Sequence, residues 1–215
     1  MKKTLRTRLM MYFAGLLIMT LGIAISVKSN LGVSPVSSIP YTITCVVGME
    51  MGKATILFHA ILVLLQIILL RSDFAARNLL QVVIGVVFGY FTTFCNWCMT
   101  FLPTPENLIL RLAMILFSAV LIAFGLFFYV PADIMPLAGE GATQTVSNMT
   151  GSPFPKVKVA FDVSMVVLSL IVCLAKLHGP GSVGIGTVIA SLLVGNILGG
   201  LTKVLGPWRN KLLQK

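Results

Sequence analysis

Residues 136–147 read PLAGEGATQTVS, in a chain that is otherwise almost wholly apolar. A carboxylate, three hydroxyls and an amide stand there among glycines, between two long hydrophobic runs. A comparable interruption, NLGVSPVSSIPYTIT, occupies residues 30–44, in the same place relative to its neighbours. Polar segments broken by glycine and proline, at corresponding positions of two halves, are the sequence mark of a transporter binding site. That pairing governs the fold expected here.

Hydrophobic residues make up 57% of the chain, charged residues only 10%, and the mean hydropathy is +0.99. A soluble domain carries roughly 25% charged residues, so a globular class is excluded. The 215 residues leave room for six spans, at about 20 residues per crossing. The hydrophobic runs place them at 9–27, 54–70, 79–102, 108–130, 157–175 and 183–204. No connection between them is long enough for a soluble domain, so one membrane domain is expected. The basic start MKKTLRTR followed by an apolar run has the outline of a secretory signal. The run is as long as a true span, however, and no small-residue cleavage site follows it, so an uncleaved first helix is expected.

The net charge of +10 does not point to nucleic acid, because the sixteen basic residues are scattered at span ends. Lys2, Lys3, Arg6 and Arg8 precede the first span, and Lys203, Arg209, Lys211 and Lys215 surround the end of the last. By the positive-inside rule both termini are cytoplasmic, which needs an even number of crossings. With Arg71, Arg77, Lys156 and Lys158 added, twelve bases lie inside, against Lys28, Lys53, Arg111 and Lys176 outside. An eight-span arrangement keeps that ratio. It requires 131–151 to cross with Asp133 and Glu140 aboard, at about 2.5–3.5 kcal/mol for a carboxylate at a helix centre. Re-entrant segments at 30–48 and 131–151 are the better expectation, since irregular backbone is tolerated where it lines a cavity or packs in protein.

The chain also reads as two copies of one unit, 1–104 and 105–215. A shift of 103 residues lays Gly22 on Gly125, Gly48 on Gly151, Lys53 on Lys156, Phe58 on Phe161 and His59 on Asp162. It also pairs Asn30 with Asp133 and Ser37 with Glu140. Past the second span of each copy the offset grows to 110, where Gly85-x-x-x-Gly89 meets Gly195-x-x-x-Gly199. Three spans per copy is odd, so the second copy is expected to be inverted. The fold class expected is therefore an all-α membrane protein, six transmembrane helices in two inverted three-span repeats, each with a re-entrant half-helix.

Ser29-Asn-Leu-Gly-Val-Ser-Pro35 after the first span and Gly184-Ile-Gly-Thr187 at the start of the last resemble the bacterial YczE/YitT-type integral membrane proteins. The resemblance covers nearly the whole chain. It implies a multi-pass protein of the bacterial cytoplasmic (inner) membrane and supplies no substrate. YitT-type members often carry a soluble C-terminal domain, and no function is implied for this chain through one.

Ser34-Pro35 and Met135-Pro136 predict the starts of two short helices. Proline suits the first helical turn, and Ser34 can cap the exposed amides. Near mid-membrane such ends would offer N–H donors and partial positive charge to an anionic group. The alternative is that the prolines merely break the chain. Glu140, between two glycines and one turn from Gln144, is the leading candidate, because acids inside a membrane commonly face a cavity, a partner or a proton path. Its structural alternative is a bond stitching the segment to a neighbouring span.

The expected substrate-binding set is Asn30, Ser34, Ser37, Ser38, Glu140, Thr143 and Gln144. Asp162 and His59, related by the repeat, are the expected ion- or proton-coupling pair, with plain packing as the other reading of His59. Asn30 and Asp133 are as well suited to capping as to ligand contact. Cys95-Asn-Trp-Cys98 has the C-x-x-C spacing, but no second pair accompanies it, so neither zinc nor any cofactor is expected. The G-x-x-x-G pairs suit close helix packing within the chain or in a homo-oligomer. Nothing resembles a nucleotide loop, a triad or a zinc-protease helix, and no enzyme is expected. The function expected is a secondary transporter for a small molecule or ion, coupled to a proton or ion. A passive channel and a non-transporting scaffold are the alternatives.

Overall fold

A computed structural model describes residues 2–214. Its α-helices are α1 (Lys2–Ser29), α2 (Pro35–Val47), α3 (Met51–Leu70), α4 (Leu80–Thr100), α5 (Leu108–Tyr129), α6 (Ala138–Thr150), α7 (Phe154–Leu177) and α8 (Ile185–Gln214). No strand occurs among the described residues. Among the described residues, six helical stretches are long and apolar enough to cross a membrane: Leu5–Ser29, Met51–Asp73, Ala76–Thr100, Leu108–Ala132, Phe154–Leu177 and Ile185–Arg209. They contain or closely match the six runs read from hydropathy. α1 and α8 run past their apolar runs into basic ends, since long basic side chains can lie along apolar surface with their charges in water.

α2 and α6 differ in kind from these six. Each has 13 residues, about 20 Å of helix, and falls short of the roughly 30 Å hydrocarbon layer. Each is followed by a glycine in the left-handed region, Gly48 (φ 73°) and Gly151 (φ 65°), the usual device for stopping a helix without a Cβ clash. The left-handed non-glycine residues also fall into pairs. Asn30 (φ 54°) and Asp133 (φ 48°) follow α1 and α5, while Arg71 (φ 48°) and His178 (φ 54°) follow α3 and α7. Asn30 and Asp133 stand 103 residues apart, whereas Arg71 and His178 share a positive φ but differ in ψ, −113° against 28°.

The helices assemble into two compact units, and each unit draws on both halves of the sequence. The first comprises Met1–Ser34, Phe94–Ile134 and Gly184–Lys215. Its axis is the antiparallel pair α1 and α5. A Cβ on Gly15 would lie 2.6 Å from Tyr129 N and 2.7 Å from Gly125 O, and one on Gly22 would lie 2.9 Å from Ser118 O. Backbone therefore touches backbone, the close approach that small residues permit between membrane helices.

At one end of this pair Arg8 Nε donates to Ala132 O at 2.8 Å and Nη2 to Asp133 O at 3.0 Å. At the other, Arg111 Nε donates to Ser29 O at 2.7 Å and Nη2 donates to Asn30 O. Each helix start thus supplies the cation that satisfies the other helix's orphan carbonyls. Arg209, near the end of α8, stacks 4.5 Å over the Phe127 ring and donates to Phe127 O at 3.2 Å. Both Arg8 and Arg209 therefore sit at the C-terminal end of α5.

The two segments that carry the family resemblance meet inside this unit. Gly186 N–H donates to Leu31 O at 2.8 Å, and Ser26 Oγ donates to Gly32 O at 3.0 Å. A Cβ on Gly32 would lie 2.6 Å from both Gly184 N and Thr187 Oγ1. Gly32, at φ 104°, needs glycine for its backbone as well.

The second unit comprises Pro35–Thr93 and Met135–Val183. Phe58, Leu62, Val63, Ala138 and Ala142 form its core, joined by Val36, Ile39, Phe161 and Met165 among others. α3 and α4 lock together at several points. Gly89 packs on Gly52 and Ile56, Gly85 faces the His59 ring, and Glu50 accepts from Gly52 N (2.8 Å), Lys53 N (3.1 Å) and Thr93 Oγ1 (3.0 Å). Gly85-x-x-x-Gly89 is thus filled by a helix of the same chain. Gly195 and Gly199 on α8 have nothing within 4 Å of a built Cβ.

Candidate functional site

α2 starts at Pro35, whose fixed φ and missing N–H fit the first helical position. Ser38 and Thr42, both buried, donate back to Pro35 O (2.6 Å) and Ser38 O (2.8 Å), so these hydroxyls are satisfied within their own helix. α6 starts at Ala138, two residues after the expected proline. The reason is Leu137, which is drawn into the core at 4% exposure as the N-cap. Its carbonyl accepts the first helical bond from Gly141 N at 2.9 Å, leaving Pro136 outside and exposed.

The first turns of the two short helices come together. A Cβ on Gly139 would lie 3.7 Å from Val36 Cγ1, ordinary van der Waals contact. Val36 and Gly139 are themselves 103 residues apart, and so are the residues that follow them, Ser37 and Glu140. The first turns of two helices, whose leading amides have no partners inside the helix, are therefore in contact at this one point. Ser37 is buried and Glu140 half-buried. Thr143 is fully buried, with its hydroxyl on Gly139 O at 2.8 Å. Ser37 and Glu140 each follow one of the two residues in contact, while Ser38 and Thr143 are bonded within their own helices. Gln144 is exposed and bonded to Asn148 Oδ1 at 2.7 Å, one turn further along α6.

A buried amide pair under α6 escapes the sequence reading altogether. Gln66 Nε2 donates to Gln81 Oε1 at 3.0 Å, and Gln81 Nε2 donates to Gln66 Oε1 at 3.3 Å. Gln66 Nε2 also approaches Leu62 O at 3.3 Å and Ala138 O at 3.4 Å. Gly141 lies against Gln81, where a Cβ would fall 2.5 Å from Oε1. Two glutamines inside apolar runs were the available signal. A second polar cluster joins α2 to the end of α7, where Thr42 Oγ1 and Ser182 Oγ are 2.6 Å apart and Cys173 Sγ lies 3.7 Å from the former and 3.6 Å from the latter.

The expected acid–imidazole pair does not form. Asp162 takes Lys158, one turn earlier on α7, as its ion-pair partner. His59 is 3% exposed and stacks on Phe88 at 5.6 Å and 20°, and its Nδ1 has no hydrogen-bond partner. Burial against an aromatic ring and Gly85 decided its place. Asn30 and Ser34 belong to the first unit. Asn30 is an exposed left-handed residue whose carbonyl is held by Arg111, so it serves the end of α1; Ser34 directly precedes α2 and is half-buried. Cys95 is buried with Sγ 3.4 Å from Thr20 Oγ1, and all four cysteines are free thiols.

This is a multi-pass, all-helical membrane protein with two further helices of 13 residues each. The chain belongs to DUF6198, a family of unknown function, whose model matches residues 6–203. It is also 26% identical over 199 residues to the uncharacterized membrane protein YczE of Bacillus subtilis (strain 168), an alignment covering 92% of this chain and 86% of that one. No solved structure matches.

Proposed function

We propose that this protein is a secondary transporter for a small molecule, coupled to a proton or ion and working by alternating access. One observation carries the reading: the first turns of α2 and α6 meet at Val36 and Gly139, with Glu140 one residue beyond. Opposed N-termini of interrupted helices are the usual way such proteins present amides to an anionic group. The carboxylate beside them suits a cationic group or a proton. A small zwitterion satisfies both.

The reading takes the chain as two inverted repeats, 1–104 and 105–215, with α2 and α6 as re-entrant half-helices. Its support is the antiparallel α1 and α5 pair, with Arg8 and Arg111 capping at positions 103 residues apart. The positive-φ residues Asn30 and Asp133, also 103 residues apart, add to it. It places both termini in the cytoplasm, in keeping with the basic ends and with Arg8 and Arg209 at the same end of α5. Ser37, Ser38, Glu140 and Thr143 line the substrate side, and no chemical transformation is assigned to them.

The test begins with the purified protein, wild type and Glu140→Gln, melted against a panel of amino acids, betaines, organic acids and inorganic ions. A solute that stabilises the wild type and not the variant then enters proteoliposome flux assays. Saturable uptake driven by an imposed proton or sodium gradient is the expected result. Linear, gradient-independent flux would establish a passive channel instead, and binding of no solute by either protein would leave the scaffold reading in its place.

A further inference from the structure

The Gln66–Gln81 pair is a costly feature in an apolar bundle, and packing alone gives no reason for it. Both side chains are at most 2% exposed and lie on neighbouring spans. Their reciprocal bonds leave one polar edge turned toward α6. The carbonyl of Ala138 and the Cα of Gly141 sit on that edge, so two of the first four residues of α6 border it, with Gly139 and Glu140 between them in sequence. Gly141 is required there, because a Cβ would collide with the Gln81 amide. A buried amide pair fixes orientation better than an apolar contact, since an alternative register leaves its polar atoms unsatisfied.

We infer that Gln66 and Gln81 are positioning residues for Glu140: their paired amides hold the first turn of α6, and with it the backbone that carries Glu140, in one register against α3 and α4. The role rests on Glu140 being the group that meets the substrate. It predicts that α6 can lose this anchor while the fold survives. Replacing both amides by apolar side chains of similar length removes the unsatisfied atoms together with the register.

The experiment uses the full chain in liposomes and the hydrophobic reagent dicyclohexylcarbodiimide, which adds to protonated carboxyl groups. Peptide mass spectrometry follows labelling of Glu140 against time and pH, in parallel with thermal melting. Gln66→Met and Gln81→Met each lower the melting temperature by stranding the other amide. The double variant recovers most of that loss, yet labels Glu140 about tenfold faster or slower than wild type and with a changed pH profile, the scale on which small misplacements act. Gly141→Ala, which leaves both amides in place but pushes the turn off them, shows the same altered labelling and serves if the double variant does not fold. Wild-type labelling and pH profile in the folded variants overturn the inference. Because the readout needs no flux, failure of the transport reading and failure of this one are separable.

Discussion

Arg8 and Arg111 cap one another's helices. Arg8, in the first turns of α1, holds the carbonyls that end α5, and Arg111, at the start of α5, holds those that end α1. The forked guanidinium reaches two adjacent carbonyls at each end, which an ammonium cannot match in the same geometry. Both caps fall on left-handed residues, Asn30 and Asp133.

Removing either cap should destabilise the pair. Arg8→Leu and Arg111→Leu are each expected to cost about 1–2 kcal/mol, the range for cations at partly buried helix C-termini. The two losses should add, because the sites stand at opposite ends of α5, far beyond the distance at which substitutions couple. Lysine at either position should recover less than half of the loss. Reversible unfolding in detergent measures all of this, and non-additive losses would show the two ends to be mechanically coupled.

Glycines divide into those with no room and those with nothing nearby. Gly15→Ala or Gly125→Ala forces a Cβ to within 2.6–2.7 Å of opposing backbone and should part α1 from α5, for a loss of about 1–3 kcal/mol or more. Gly195→Ala and Gly199→Ala meet nothing and should be neutral or gain roughly 0.5–1 kcal/mol from helix propensity. Loss of a dimer band in native mass spectrometry for Gly199→Ile would instead assign this α8 stripe to a second copy of the chain.

Thr42→Val should cost about 0.5–1.5 kcal/mol, the net worth of one hydrogen bond, because Ser182 Oγ loses its 2.6 Å partner and keeps only Cys173 Sγ at 3.6 Å. Thr42→Ser should cost far less, since it keeps the 2.6 Å bond between hydroxyls. Thermal melts of the two variants side by side decide the point; equal losses would mean that the Thr42 methyl, not its hydroxyl, matters.

His59→Phe should melt at or above the wild-type temperature. The ring keeps its stack on Phe88, and the Nδ1 that lacks a partner is replaced by carbon. A gain of about 1 kcal/mol is expected from removing an unsatisfied buried polar atom. Gradient-driven flux, once a substrate is known, should survive this change and be lost in Glu140→Gln. Loss of coupling in His59→Phe would return His59 to the role first read from its pairing with Asp162.

The six apolar helices and the two short helices between them were legible because each depends on local information. Run length against bilayer thickness sets a crossing, and a proline or glycine sets a break. The start of α6 was misplaced by two residues because burial of Leu137, a tertiary contact, outweighed the proline signal. The 103-residue shift pairs His59 with Asp162, but Asp162 takes Lys158 and His59 stacks on Phe88, since matched positions in a sequence need not touch.

The amino-acid pattern by itself determined which segments are helices, which can cross a membrane and where chemistry interrupts them, because hydrophobic periodicity and backbone restriction act within a few residues. Only the tertiary structure decided the partners of the polar groups. Arg8 reaches carbonyls 124 and 125 residues away, Arg111 reaches back 82 and 81, and Gln66 reaches 72 to Ala138. In an apolar interior such groups must find partners wherever the packed helices bring them, and that packing is a property of the whole chain.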